Sequence, residues 1–218
     1  GTPAAIAAPL LLSLGFPPLA AAIVCLVFNS VPVSFGAAGT PIRFGLANLE
    51  PQIDTALQAS STLGFADMAG FYEVIGRWAS TFHALAGLVV PLFVVCFLTR
   101  YFGQNKSWKE GLGVWKFSLF ASISFLVPYV ATAFLIGEEF PSLLGGLIGL
   151  AIIVSGAKKG WFMPEEPWDF GPQSTWENEW TGQIAASEKL DFKPTMSLIR
   201  AWTPYVLIGV ILVATRVS

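Results

Sequence analysis

Charged residues are absent from several long stretches of this 218-residue chain. Trp78–Thr99, Phe117–Gly137 and Phe140–Ala157 contain no Asp, Glu, Lys or Arg, and Ala201–Thr215 is a shorter stretch of the same kind. A helix that crosses a bilayer needs about 20 mostly apolar residues. The first three runs meet that length, the third at the short end, and 201–215 is expected to continue past the last residue. Pro91, Pro128 and Pro204 lie inside such runs. Neighbouring helices in a membrane can satisfy the backbone groups that a proline frees.

The longest uncharged stretch, Gly1 to Ile42, does not divide into two plain spans. Pro3–Leu14 makes about 18 Å of helix, too short to cross alone. Gly15-Phe16-Pro17-Pro18 then turns the chain, and Leu19–Phe28 is a second short helical run. Asn29 to Pro41 follows, too rich in proline and glycine for a continuous helix and too apolar at its edges for a surface loop. Irregular backbone at membrane depth survives only where protein or a water-filled cavity covers it. Short, interrupted hydrophobic segments are the sequence pointer to a transporter binding site. The competing reading is a re-entrant or packed core helix without a ligand.

Residues 43–77 read as an extramembrane or interfacial segment, with Phe71, Val74, Ile75 and Trp78 at helical spacing near its end. Residues 158–199 form a long polar connector with Trp161, Trp168, Trp176 and Trp180, which are expected to anchor it at headgroup level. Lys and Arg set the orientation. Arg100, Lys106, Lys109 and Lys116 fall in one connector, and Lys158, Lys159, Lys189, Lys193 and Arg200 in another two crossings later. Both connectors are therefore expected on the cytoplasmic side, with Arg43, Arg77 and the tight turn at Glu138-Glu139 opposite.

Composition agrees. Charged residues are 12% of the chain, against about 25% in soluble domains. The expected fold is an all-α integral membrane protein, a polytopic helix bundle with interrupted (re-entrant or broken) helices. A net charge of −2 gives no field for nucleic acid. Cys25 and Cys96 sit inside apolar runs and read as small buried hydrophobes. With one histidine and no Cys/His cluster, neither a metal site nor a cofactor is expected. The chain begins with Gly and stops in or just past an apolar run, so it is expected to be an internal piece of a longer protein.

Gly-Thr-Pro occurs twice, at Gly1-Thr2-Pro3 and Gly39-Thr40-Pro41. Thr is a good N-cap and Pro is favoured at the first helical position. Each copy therefore reads as a helix start inside the membrane. Such a start presents unpaired N–H groups and a positive dipole end, which together suit a carboxylate. Asn29, Ser30, Ser34 and Thr40 add donors and acceptors of the kind a hydroxy acid needs. Interhelical hydrogen bonding is the other reading of each. Gly36 and Gly39 would let backbone approach a ligand, or let helices pack closely. Arg77 and Arg200 lie at the edges of predicted spans, where an anion contact competes with snorkelling to the headgroups. His83, just inside a span, is read as structural, with a proton carrier as the alternative.

The residues Gly1–Leu11, Leu14–Ala22, Cys25–Gly36, Gly39–Ile42, Gly76-Arg77 and Arg200–Tyr205 carry a resemblance to the lactate permease family. The first 42 residues are the most specific part. The resemblance covers the whole chain but only a central part of a permease's transmembrane domain, since family members are considerably longer. It implies uptake of lactate or glycolate with protons, by alternating access, across a bacterial inner (plasma) membrane. It places Thr2 at a hairpin tip and Asn29–Thr40 in a broken helix. The expected substrate-binding set is Thr2, Asn29, Ser30, Ser34, Gly36, Gly39, Thr40 and Arg200. The expected partners are the monocarboxylate, protons, membrane lipid and the remaining segments of the permease. The longer stretch between Ile42 and Gly76 and the Trp-rich connector depart from the family pattern and leave the substrate within the family open.

Two other classes were weighed. A transporter of another organic anion, such as a dicarboxylate, coupled to sodium or protons, would need a second positive contact, for which Arg77 and Arg200 are available. An intramembrane enzyme needs a nucleophile–base pair, a metal cluster or paired acids at depth. The predicted spans hold no Asp or Glu, and the single histidine has no evident Cys or Asp partner, so no enzyme is expected. A purely structural scaffold gives no reason for two interrupted segments.

Overall fold

The protein is described from a computed structural model. The structure describes residues 2–60 and 62–181, together with residues 197, 200, 203, 204, 206, 207, 210, 211 and 214. Two compact units divide the chain, Gly1–Ala185 and Ala186–Ser218. In the second, the described positions from Arg200 onward are helical and exposed. Most of the expected span 201–215 and the later part of the Trp-rich connector lie outside the described residues.

The first unit is helical, with no strand among its described residues. Helix α1 spans Thr2–Ser13 and α2 spans Pro18–Ser30. Gly15 (φ +94°) turns the chain between them, and Pro18 opens α2 at the position where a missing N–H costs nothing. A 3-10 turn at Val33–Phe35 leads into α3, Gly36–Leu46, and α4 spans Glu50–Ala59. Helix α5, Met68–Gly87, is capped by Asp67, whose carboxylate accepts from the Gly70 amide at 2.7 Å. After Leu88 and Val89 the chain continues as α6, Val90–Tyr101. A short α7 (Trp108–Leu112) turns it into α8 (Trp115–Leu135), which is followed by α9 (Pro141–Lys158) and a short α10 (Asn178–Thr181).

Among the described residues three helical stretches are long and apolar enough to cross a membrane, Met68–Tyr101, Trp115–Leu135 and Pro141–Lys158. The pair Pro18–Ser30 and Val33–Ala59, bent by 73°, makes a fourth if it is counted as one broken span. The chain is an all-α, multi-pass membrane protein. The stretch predicted at Trp78 begins ten residues earlier and is two helices. Pro91 has no N–H to give the Gly87 carbonyl, so the ladder fails at Leu88-Val89. The Ser122 hydroxyl donates to the Leu88 carbonyl, within the break, at 3.2 Å. Helix α8, by contrast, continues through Pro128, and the Thr132 hydroxyl donates to the Pro128 carbonyl.

Helices α8 and α9 pack as an antiparallel hairpin along glycines. A Cβ at Gly145 would lie 2.9 Å from Tyr129 Cβ, and one at Gly149 would lie 2.9 Å from Phe125 Cα. Small residues four apart let membrane helices approach this closely.

The connector tryptophans depart from expectation. Trp180 is buried with Phe102, Leu98 and Ala20, and Trp168 and Trp176 pack against the same cluster; Trp161 is exposed. Burying a large ring is worth more than leaving it at a headgroup, and the cluster joins α2, α6 and the connector. The two Lys-rich connectors also touch: Lys106 pairs with Glu177 at 2.6 Å, and the Trp168 indole N–H donates to Glu110 at 3.1 Å. They share one end of the bundle, as two intervening crossings require.

Candidate functional site

The interrupted segment lies along the groove between α5 and α8, which run antiparallel. Four contacts set its register. A Cβ on Gly87 of α5 would meet Val31 at 3.2 Å and Leu126 of α8 at 3.1 Å. Ser34 Oγ is 3.4 Å from His83 Nε2. Phe35 stands edge-on to Tyr129, centroids 5.3 Å apart, and edge-on to His83 at 5.8 Å. Gly39 meets the α8–α9 turn, where a Cβ would lie 2.8 Å from the Glu138 carbonyl oxygen.

The backbone breaks twice in this stretch. Helix α2 ends at Ser30, and Ala37, Ala38 and Gly39 adopt left-handed φ values of 45°, 55° and 76°. Each left-handed alanine costs about 1–2 kcal/mol. Such strain persists where the surroundings over-determine it. Here the Glu138 backbone closes on Gly39, so closely that no side chain would fit at that position. Regular helix resumes at Thr40-Pro41, the expected start. The Thr40 hydroxyl does not cap it. It donates back to the Ala37 carbonyl, 2.5 Å away, whose helical donor would be Pro41, which has no N–H.

One turn into that helix, Arg43 ties the segment to the α8–α9 turn. Its Nε–H donates to Glu138 Oε1 at 2.8 Å, and Nη2 lies 3.0 Å from Glu139 Oε1. The Tyr72 hydroxyl donates to the Arg43 carbonyl at 3.2 Å, and the Tyr72 ring lies 5.9 Å from the guanidinium carbon. Glu138 is only 3% exposed. A Cβ on Gly76 of α5 would come within 2.9 Å of Glu138 Cβ. The acidic turn is thus a packed part of the site, with two glycines shaped around it.

Deeper in the groove, His83 Nδ1 and the Tyr129 hydroxyl are 2.7 Å apart. Ser34, His83 and Tyr129 therefore form a hydrogen-bonded chain joining the interrupted segment, α5 and α8. Tyr129 is fully buried. Beside the break a cavity of about 420 Å³ is lined by residues that include Val31, Pro32, Gly87, Pro91 and Ser122. Val31 and Pro32, at the first helix interruption, border it, as do Gly87 and Val90, which flank the second.

The predicted residues divide. Ser34, Gly36, Gly39 and Thr40 lie on the segment in the groove. Asn29 is half-buried at the end of α2, and the exposed Ser30 hydroxyl donates to the Val27 carbonyl at 2.6 Å. Thr2 opens α1. Arg200 is exposed in the second unit, its amide donating to Ser197 Oγ at 3.4 Å. Arg77, the other arginine weighed for an anion, pairs with Glu73 at 3.0 Å. The sequence reading did not place Arg43, Glu138, His83 or Tyr129 in the site. The available signals were His83, weighed there only as an alternative proton carrier, and Arg43, a lone cation three residues past Thr40.

A family model described as L-lactate permease matches residues 1–218, the whole chain. The chain belongs to the L-lactate permease family. A putative L-lactate permease of Haemophilus influenzae is 40% identical over 162 residues, covering 73% of this chain and 25% of the relative. The L-lactate permease of Bacillus subtilis is 27% identical over 212 residues, 95% of this chain and 32% of its own length. A glycolate permease of Escherichia coli is 27% identical over 222 residues, 97% and 33% respectively. The chain thus spans about a quarter to a third of the length of the curated permeases it matches. No solved structure matches it. The family is one of permeases, not enzymes. Among the described residues no group of three or more His, Cys, Asp or Glu is placed to hold a metal ion.

Proposed function

We propose that this chain is the central part of a secondary transporter that takes up lactate or glycolate with protons across a bacterial inner membrane. The observation that carries the reading is the interrupted segment Asn29–Thr40, laid between two membrane helices in a chain matched end to end by the L-lactate permease family. The similarity to a glycolate permease extends the substrate class to the shorter 2-hydroxy acid. Broken helices supply backbone groups for a carboxylate, and neighbouring hydroxyls and amides supply partners for a 2-hydroxyl. Asn29, Ser30, Ser34 and Thr40 are the side chains assigned to that task. Gly36 gives the substrate room beside the backbone, since nothing lies within 4 Å of the Cβ it lacks. Thr2 is assigned to the same site from the start of α1.

The test is uptake of labelled lactate and glycolate by cells producing the full-length protein, compared with Asn29→Ala, Ser34→Ala and Thr40→Ala. Loss of most uptake at unchanged protein level supports the assignment. Undiminished uptake in all three removes these residues from the site. Competition by succinate, if as strong as by unlabelled lactate, would replace the monocarboxylate with a dicarboxylate.

A further inference from the structure

Within the uncharged runs 78–99, 117–137 and 140–157, His83 is the one side chain whose ordinary titration falls near neutral pH, and it is the only histidine of the chain. The structure puts it at the interrupted segment, with both ring nitrogens facing hydroxyls: Nδ1 to Tyr129 at 2.7 Å and Nε2 to Ser34 at 3.4 Å. We infer that His83 takes up the transported proton, and that through Ser34 this primes the break for the substrate carboxylate. The inference rests on the reading of this family member as a proton-coupled monocarboxylate transporter and assigns the residue that does the coupling.

The chemistry follows from counting donors. A neutral imidazole has one N–H and one acceptor nitrogen, so one of the two hydroxyls must donate to the ring while the other accepts. Adding a proton makes both nitrogens donors. No bond other than the new N–H forms, and no electrons are transferred. Both hydroxyl oxygens then accept from the ring, and the hydroxyl hydrogen that had pointed at it must turn away. Tyr129 is fully buried between Phe35 and Phe125 and has little room to turn. Ser34 is half-buried at the break and makes the longer contact. Protonation therefore favours a state in which Ser34 directs its O–H, and His83 its positive charge, toward an anion at the break. By linkage the bound carboxylate favours the proton to the same degree. On release to the other side the imidazolium returns its proton to water.

The charged groups on the surrounding elements lie toward one end of the groove and are paired. Arg77 on α5 is bound to Glu73, and Arg43 on α3 is bound to Glu138 and Glu139 of the α8–α9 turn. Gly76, which packs on Glu138, is seven residues from His83, about 10 Å along α5. The facing parts of α8 and of the interrupted segment contribute Tyr129 and no charged residue. Both ring nitrogens of His83 meet uncharged hydroxyls, so in this proposal the counter-charge for its proton is the substrate carboxylate at the break.

The experiment separates driven uptake from exchange. Full-length protein in vesicles is assayed for lactate accumulation under an inward proton gradient and for lactate–lactate exchange without one. His83→Gln can hydrogen-bond both hydroxyls but cannot become charged. It should lose proton-driven accumulation by about tenfold or more, and lose exchange, through the missing charge at the break, by clearly less. Tyr129→Phe, which removes one partner of the ring, should keep accumulation but move its pH profile. Full accumulation by His83→Gln, equal loss of both assays, or an unmoved profile in Tyr129→Phe overturns the inference. Absence of lactate and glycolate transport by the unaltered protein is a different result: it rejects the function itself.

Discussion

Arg43 donates from Nε to Glu138 Oε1 at 2.8 Å, joining residues 95 positions apart. This contact fixes the second half of the broken helix to the turn between α8 and α9. Glu138 is nearly buried, whereas Arg43 keeps a side-chain exposure of 38%. Removing one member of a fully buried pair costs about 3–5 kcal/mol. Solvent at the arginine lowers that to about 1–3 kcal/mol here. Arg43→Gln should lower the thermal stability of the full-length protein in detergent more than Glu138→Gln does. The first change strands the nearly buried Glu138 carboxylate, while the second leaves Glu139 to hold the guanidinium. Equal melting temperatures for both variants and the unaltered protein would mean the pair holds nothing in place.

Gly39 and Gly36 make a matched comparison. Gly39 has φ +76° and faces the Glu138 carbonyl; Gly36 has open space. Gly39→Ala is expected to cost about 2–4 kcal/mol, from left-handed strain and overpacking together. It should also reduce uptake by displacing the turn. Gly36→Ala should leave stability within about 0.5 kcal/mol and, if substrate approaches there, raise the KM for lactate. Thermal melts and uptake kinetics of the two variants check both statements.

The α8–α9 contact makes a third comparison. Gly149→Leu drives a side chain into Phe125 and should destabilise by about 1–3 kcal/mol. Gly146, three residues earlier, has nothing within 4 Å of its missing Cβ. Gly146→Leu should melt with the unaltered protein. A reversed order would show that the two helices meet on another face.

Sidedness is testable by labelling. Single cysteines at Gln104 and Glu166, in the two connectors that touch, should react with an impermeant thiol reagent from the same side, the cytoplasmic one by the positive-inside rule. A cysteine at Gly137 should react from the opposite side. Cys25 and Cys96 are buried and provide a quiet background. Labelling of Gln104→Cys and Glu166→Cys from opposite sides would break the assigned topology.

What was legible in the sequence was the local punctuation. Gly15 to Pro18 turns where its residues require, and α8 and α9 fall within two residues of the uncharged runs that announced them. The interruption after Asn29 was likewise visible in its Pro and Gly content. The left-handed pair Ala37-Ala38 was not, because alanine carries no preference for positive φ. The site's ionic and hydrogen-bonded contacts were hidden for another reason. Arg43 meets Glu138 across 95 residues and Ser34 meets His83 across 49. Hydropathy reports depth in the bilayer, but not which faces of two helices will oppose each other. The connector tryptophans show the same limit: an aromatic residue near a span end suits a lipid boundary and a protein cluster equally well.

The abutment of Val31 on Gly87 sets the mechanics of the whole assembly. Each residue sits where its own rod is severed, so the two weak points share a single fulcrum. Any swing that opens or closes the 73° elbow slides Val31 across the face of α5. With no side chain on Gly87 to cushion the contact, a tilt of one half-rod presses directly on the other.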